Sequence, residues 1–322
     1  MNRFFVYSTC VLTALSGCAH GNVTELSQNQ KMLSSVPYVA EKYNDLPDET
    51  RIDITPKIYK HCLKDVDDAP YSLFTVTYLS DGIKVKGILG IPKAMIQVKP
   101  YSMVVAVRGG HADFARFNAC STYFLSDILG GNGERAFFAV QLRGAAGSPG
   151  QDEYGGNDVH DVLNAVELVK GFQEIDPRNV FLAGKSRGGM MVYLALKAGA
   201  KVAGAISIAG QSNLIRLLQS WPDMRQVFVD HIPQFKVQTI EKLRQRSAEF
   251  WAEQIHAPIL VLHGDKDTKV PVEDSLELNR LLDETKTPHK LVIYPGEDHP
   301  MTSVRTEIAN EITNWVQKYS SK

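Results

Sequence analysis

Residues 179–199 read NVFLAGKSRGGMMVYLALKAG. An apolar run from Asn179 to Ala183 passes through Gly184-Lys185-Ser186-Arg187-Gly188 into a stretch that starts Gly188-Gly189-Met190-Met191 and is rich in helix formers. In the pattern Gly-x-Ser-x-Gly, set between a strand and a helix, the chain turns sharply and holds the serine hydroxyl up in a strained backbone; small residues on each side let the chain segments approach. The local order of strand, turn and helix makes Ser186 the candidate nucleophile. It also sets the question of what the neighbouring strands carry at their ends.

The same strand and helix alternation extends in both directions. SMVVAVRGG (102–110), AFFAVQLRG (136–144), NVFLAGKS (179–186), GAISIAG (204–210), PILVLHGD (258–265) and KLVIYPGED (290–298) are six apolar strands in order, each ending in glycine or a polar residue. Helical stripes lie between and after them. Val159, Val162, Leu163, Val166 and Val169 precede Gly171, and Val304, Ile308, Ile312, Trp315 and Val316 form the last stripe. Apolar strands separated by helices imply parallel strands covered on both faces. Ahead of them, SLFTVTYLSDGIKVKGILGIP (72–92) reads as a hairpin around Asp81-Gly82, since both turn positions tolerate positive φ. The expectation is an α/β protein with an eight-stranded, mostly parallel sheet. Ligands then bind at the carboxyl ends of the strands. Residues 212–254 break the alternation as several short helices, either surface packing or a partial lid over the site.

A serine hydroxyl needs a base to take its proton, and the base needs a carboxylate to fix its tautomer. The histidines after Ser186 are His231, His256, His263, His289 and His299. His256 precedes a strand and His289 begins one, the wrong end of the sheet for both; His263 closes a strand but comes before the acids. His299, in YPGEDHP just past the last strand, stands at the right end and in the order serine, acid, histidine. The acid comes from HGDKDTKVP (263–271), where Asp267 lies further into the loop than its rival Asp265. For the oxyanion, the backbone N–H of Arg187 is one donor. Gly110 or Gly109, in the loop after the first parallel strand, supplies the second.

With these residues in hand the chain resembles the α/β-hydrolase fold and, over roughly residues 70–320, the catalytic domain of the prolyl oligopeptidase family of serine peptidases. The resemblance rests on Gly184 to Gly189, on QLRGAAGSPGQDEYGGNDVHDVLNAV (141–166), on HGDKDTKVP and on GEDH, four motifs in order. It implies peptide-bond hydrolysis through an acyl-enzyme with the triad Ser186, Asp267 and His299, and no metal or cofactor. The family's usual oxyanion-loop tyrosine is replaced by Arg108, either a donor in its place or a structural ion-pair residue. With only a short stretch ahead of the sheet, a counterpart of the family's N-terminal propeller is not expected, and substrate gating is expected to differ. Carboxyl ester hydrolysis is the alternative activity, and a non-catalytic binding lipoprotein on the same scaffold is the remote one. Arg143, Asp158 and Asp161 read as structural ion pairs and caps. Lys185 is discounted as a base because adjacent turn residues point apart. Trp221, Phe250 and Trp251 are pocket candidates or packing residues of the insertion.

Charge points to no polyanionic partner: 35 Lys+Arg are cancelled by 36 Asp+Glu, where a nucleic-acid binder would show a basic excess. The N-terminus has a different character. MNRFFVYSTCVLTALSGCAHG combines one basic residue, a short apolar run and small residues, the build of a secretory signal (1–17). Leu15 to Cys18 resembles a bacterial lipobox, which implies lipidation of Cys18 and attachment of the protein by acyl chains. By the same resemblance Ala19 implies the outer membrane, facing the periplasm or the cell exterior. Residues 18–65 read as a tether with one or two short helices, and 66–322 as the catalytic domain. Of the four cysteines, Cys10 lies in the signal, which leaves Cys62 and Cys120, with no spacing signature to decide whether they pair.

Overall fold

A computed structural model of the chain describes residues 32–51, 54–94, 100–121 and 124–321. The expected signal peptide and Cys18 lie outside them. Nine strands form one sheet: β1 (Met32–Pro37), β2 (Tyr71–Ser80), β3 (Ile83–Pro92), β4 (Tyr101–Val107), β5 (Ala136–Val140), β6 (Ile175–Lys185), β7 (Gly204–Ile208), β8 (Ile259–Gly264) and β9 (His289–Tyr294). Their order is β1-β2-β3-β5-β4-β6-β7-β8-β9. β1 to β3 run antiparallel, β3 meets β5 antiparallel, and every pairing from β5 to β9 is parallel.

The eight strands expected from the sequence are all present, and β1 is an addition: residues read as tether pair along β2 from Met32↔Tyr78 to Pro37↔Phe74. The β2–β3 hairpin turns at Asp81 (φ 51°) and Gly82 (φ 78°), the positive-φ pair that a two-residue turn demands. Helices α1 (Asp48–Arg51) and α2 (Pro56–Asp68) follow β1. α2 starts where a helix should, with Pro56 at its first position and Thr55 Oγ1 accepting from the Ile58 N–H at 3.2 Å.

Successive residues of the central strands face opposite sides, which builds two cores. On β5, Phe137 enters one and Phe138 the other, both without solvent exposure. Such a ring contributes roughly 1.5–3 kcal/mol when fully buried. The Phe138 side is covered by α3 (Val159–Lys170), α4 (Arg187–Lys197) and α8 (Val272–Thr285), together with the insertion helices α5 (Leu214–Ser220), α6 (Met224–His231) and α7 (Thr239–Gln245). The Phe137 side is covered by the π-helical turn Phe124–Leu129 and by α9 (Arg305–Tyr319) through Ile308, Ile312, Trp315 and Val316. A third, small core of Leu46, Tyr59, Cys62 and Ala119 fixes the N-terminal helices to the body. There Cys62 and Cys120 form a disulfide, closing the question their spacing left open.

Candidate active site

Ser186 stands between β6 and α4 with φ 58° and ψ −125°, a backbone conformation that L-residues seldom adopt. The surroundings hold it there: Ser186 N–H donates to Ile208 O at 2.9 Å, and Gly189 N–H donates to Ser186 O at 2.9 Å. The flanking glycines are sterically required. A Cβ on Gly184 would lie 2.1 Å from Gly188 O, and one on Gly188 would lie 2.3 Å from Val107 O.

Asp267 and His299 project from the loops after β8 and β9, and His299 Nδ1 lies 2.6 Å from Asp267 Oδ2. The other carboxylate oxygen accepts from Lys269 N–H at 2.8 Å and Val270 N–H at 2.9 Å. Buried His263 also touches Asp267 Oδ2, through Nε2 at 3.2 Å, while its Nδ1 meets Ser275 Oγ at 2.6 Å. Burial alone would raise the Asp267 carboxyl; the hydrogen bonds from His263 and His299 outweigh it and hold the group well below the usual carboxylate range. Asp265 points elsewhere, accepting Gly296 N–H at 2.7 Å, so Asp267 is the carboxylate in contact with His299. Ser186 and His299 line one cleft with Gly109, Gly110 and Arg187.

The Arg187 side chain has a role that the sequence did not disclose. Its guanidinium is 1% exposed and forms a fork on Asp152, with Nη1 to Oδ2 at 2.6 Å and Nη2 to Oδ1 at 2.5 Å; Nη2 also reaches Asp158 at 2.5 Å. Nη1 further donates to Gly110 O at 2.9 Å, and Asp152 accepts the Ala112 N–H at 2.7 Å. The residue after the serine thereby fixes both sides of the glycine loop. Burial opposes ionisation of Asp152, but Arg187 overrides it and holds this carboxyl well below the usual range; burial dominates at Asp158 and raises it. Asp158, read as a helix cap, is thus a buried partner of Arg187. Arg143 pairs with Asp161 at 2.7 Å, as a structural ion pair.

Arg108 has a partner set that neither of its two readings named. It is 1% exposed, and its guanidinium donates to the carbonyls of Ala112, Phe114 and Gln141, a structural role made with carbonyls instead of the carboxylate that one of its two readings supposed. Burial, and after it the charge of Arg187, lower it to about 9. Lys185 Nζ donates to Pro300 O at 3.0 Å, tying the serine turn to the His299 loop. From the insertion, Trp221, Met224 and Val227 wall the cleft. Phe250 and Trp251 do not line it: Phe250 lies under Arg244 and Trp251 under Lys197.

A mostly parallel sheet with a serine on the strand-to-helix turn and a His–Asp pair on later strand ends defines an α/β-hydrolase. Residues 137–322 match the model of the prolyl oligopeptidase family. The peptidase YtmA of Bacillus subtilis, itself described as uncharacterized, is 27% identical over 251 residues, covering 76% of this chain and 93% of its own. The acylamino-acid-releasing enzyme of Mus musculus is 28% identical over 192 residues, 53% of this chain and 25% of its own, so the chain spans a minor part of that relative. Among solved structures, a puromycin-hydrolyzing peptidase of Mycobacterium tuberculosis superposes with a TM-score of 0.64 at 22% identity, over 79% of this chain and 41% of that one. The chain belongs to the prolyl oligopeptidase family and is a serine hydrolase.

Proposed function

We propose that the protein hydrolyses peptide bonds through an acyl-enzyme. Ser186 Oγ attacks the carbonyl carbon while His299 takes its proton, and Asp267 orients the imidazole and stabilises the imidazolium. The Arg187 N–H and an N–H of the Gly109-Gly110 loop hold the oxyanion. His299 then gives the proton to the leaving nitrogen, and a water activated by the same imidazole releases the acyl group. The observation that carries this reading is the 2.6 Å contact between His299 and Asp267 in the cleft that Ser186 lines. Family membership supports a peptide substrate. The test is turnover of a chromogenic peptide amide by the parent and by Ser186→Ala. Loss of turnover with an unchanged circular-dichroism spectrum supports the proposal, and retained turnover refutes it.

We further propose attachment to the cell envelope, at the outer membrane facing the periplasm or the exterior, through acyl chains on Cys18. The motif Leu15 to Cys18 supports this, as does the Cys62–Cys120 disulfide, a bond that persists in oxidising compartments. Detergent-phase partitioning that is lost in Cys18→Ser is the expected result; partitioning unchanged by the substitution excludes the anchor.

A further inference from the structure

The cleft above Ser186 has a volume of about 810 Å³, within the roughly 300–1,000 Å³ typical of sites that enclose a small ligand. It straddles the sheet, and its two apolar lobes belong to different cores. Tyr154, Trp221, Met224 and Val227 continue the core on the α3 and α4 side. Phe117, Phe124, Ile128, Met301 and Ile308 continue the core on the α9 side. A hydrolase with one specificity pocket needs only one of these.

Proton traffic tells the lobes apart. The imidazole that takes the serine proton must hand it to the departing nitrogen, so the leaving group lies beside His299. Pro300 and Met301 follow His299 directly, and Ile308 lies in the first turns of α9. The second lobe is therefore on the leaving-group side. Both lobes carry positive charge: Lys269 lies over the Trp221 ring on the first, where Asp223 also lines the cleft, and Lys185 and Arg305 stand on the second. Lys185 Nζ is held on that side by Pro300 O at 3.0 Å, and Arg305, at the start of α9, lines the cleft with it. Burial, and next the charge of Arg305, lower the Lys185 ammonium to about 8, while Asp267 and Asp298 act in the opposite sense. Two cations that repel each other above an apolar lobe favour an anion with an apolar body.

Resting on the hydrolase reading above, we infer that the lobe beside His299 receives the departing residue. That residue is a C-terminal amino acid with an apolar side chain, its side chain among Phe117, Phe124, Ile128, Met301 and Ile308 and its carboxylate facing Lys185 and Arg305. The reaction adds one water across one amide: the C–N bond breaks, the nitrogen gains a proton from His299, and the acyl carbon gains the water oxygen. The products are a shortened peptide carboxylate and a free apolar amino acid.

The test uses the full chain and substrates sharing one acyl half: benzyloxycarbonyl-Ala-Phe, its C-terminal amide, and benzyloxycarbonyl-Ala-Gly, with p-nitrophenyl acetate as a control. The ratio kcat/KM reports steps up to acyl-enzyme formation and so senses the leaving group. The free acid is expected to exceed the amide by about tenfold or more, the scale of one charge-assisted hydrogen bond. Phenylalanine is expected to exceed glycine by about tenfold or more, from burial of its ring. In Ile308→Trp, which fills the lobe, the phenylalanine advantage should collapse; in Lys185→Met with Arg305→Met, the acid advantage should collapse. Thermal unfolding reports whether each variant folds, and the parent's own substrate series decides the matter if one does not. Hydrolysis of the ester with no preference among the peptides, or with no peptide cleavage, overturns the inference and leaves the hydrolase reading standing. Absence of ester hydrolysis together with absence of phosphonate labelling removes both.

Discussion

Replacing Arg187 by methionine removes the charge and keeps most of the volume against the Tyr154 ring, which lies 4.4 Å from the guanidinium carbon. Asp152 and Asp158 are then left with side-chain exposures of 3% and 0% and without their cation. Breaking a buried pair by removing one partner costs about 3–5 kcal/mol. That is a large share of the roughly 5–15 kcal/mol by which domains are stable. Urea unfolding at neutral pH, followed by circular dichroism, should show a deficit of this size at an unchanged m-value. The pH dependence separates charge from packing. In the parent, Asp152 is depressed by Arg187, so its contribution is present above the unfolded carboxylate value of about 3.9 and is lost as pH falls below it. In the variant, burial without a cation raises both carboxyls above that value. The folded state then binds more protons than the unfolded state, and the variant gains stability as pH falls through that window. The deficit should therefore narrow on acidification. A deficit below about 1 kcal/mol, or one that widens at acid pH, refutes the reasoning. Because Arg187 also holds Gly110 O and, through Asp152, the Ala112 N–H, the folded variant should lose kcat more than it raises KM.

Asp267→Asn should leave the fold intact and lower kcat by roughly 10⁴, the loss known where such a constellation forfeits its carboxylate, measured on the peptide amide. Cys120→Ser opens a link between positions 58 residues apart, which chain entropy values at about 4 kcal/mol, and guanidinium unfolding of the oxidised parent and the variant checks it. Gly184→Ala places a methyl 2.1 Å from Gly188 O, against rigid backbone, and should cost more than about 1–3 kcal/mol; a melting temperature equal to the parent's contradicts the packing described.

What the sequence disclosed was what local chemistry dictates. Asp81-Gly82 announced its hairpin because both positions require positive φ, and the parallel strands announced themselves because burial on both faces leaves no alternation. Ser186 was legible from the glycines its turn needs. His299 was legible from chain order and strand polarity, whereas Asp265 and Asp267, two residues apart in one loop, differ only in where the backbone aims them. β1 escaped notice because MLSSVP shows no regular alternation, most of it being exposed at the sheet edge. The partners of Arg187 lie 35 and 29 residues before it, and those of the disulfide 58 residues apart. Pairings at such separations leave no periodic trace in one sequence. The partners of Arg108 were not legible for a related reason, since a buried guanidinium is satisfied as well by converging carbonyls as by a carboxylate, and the loop geometry that gathers them is tertiary.

The central claim is that Ser186 is an activated nucleophile. Incubating the folded chain with a fluorophosphonate and locating the adduct by mass spectrometry tests it most directly. One adduct is expected, on the peptide carrying Ser186, absent from Ser186→Ala and strongly slowed in Asp267→Asn. An adduct on another serine, or none on a well-folded parent, contradicts it.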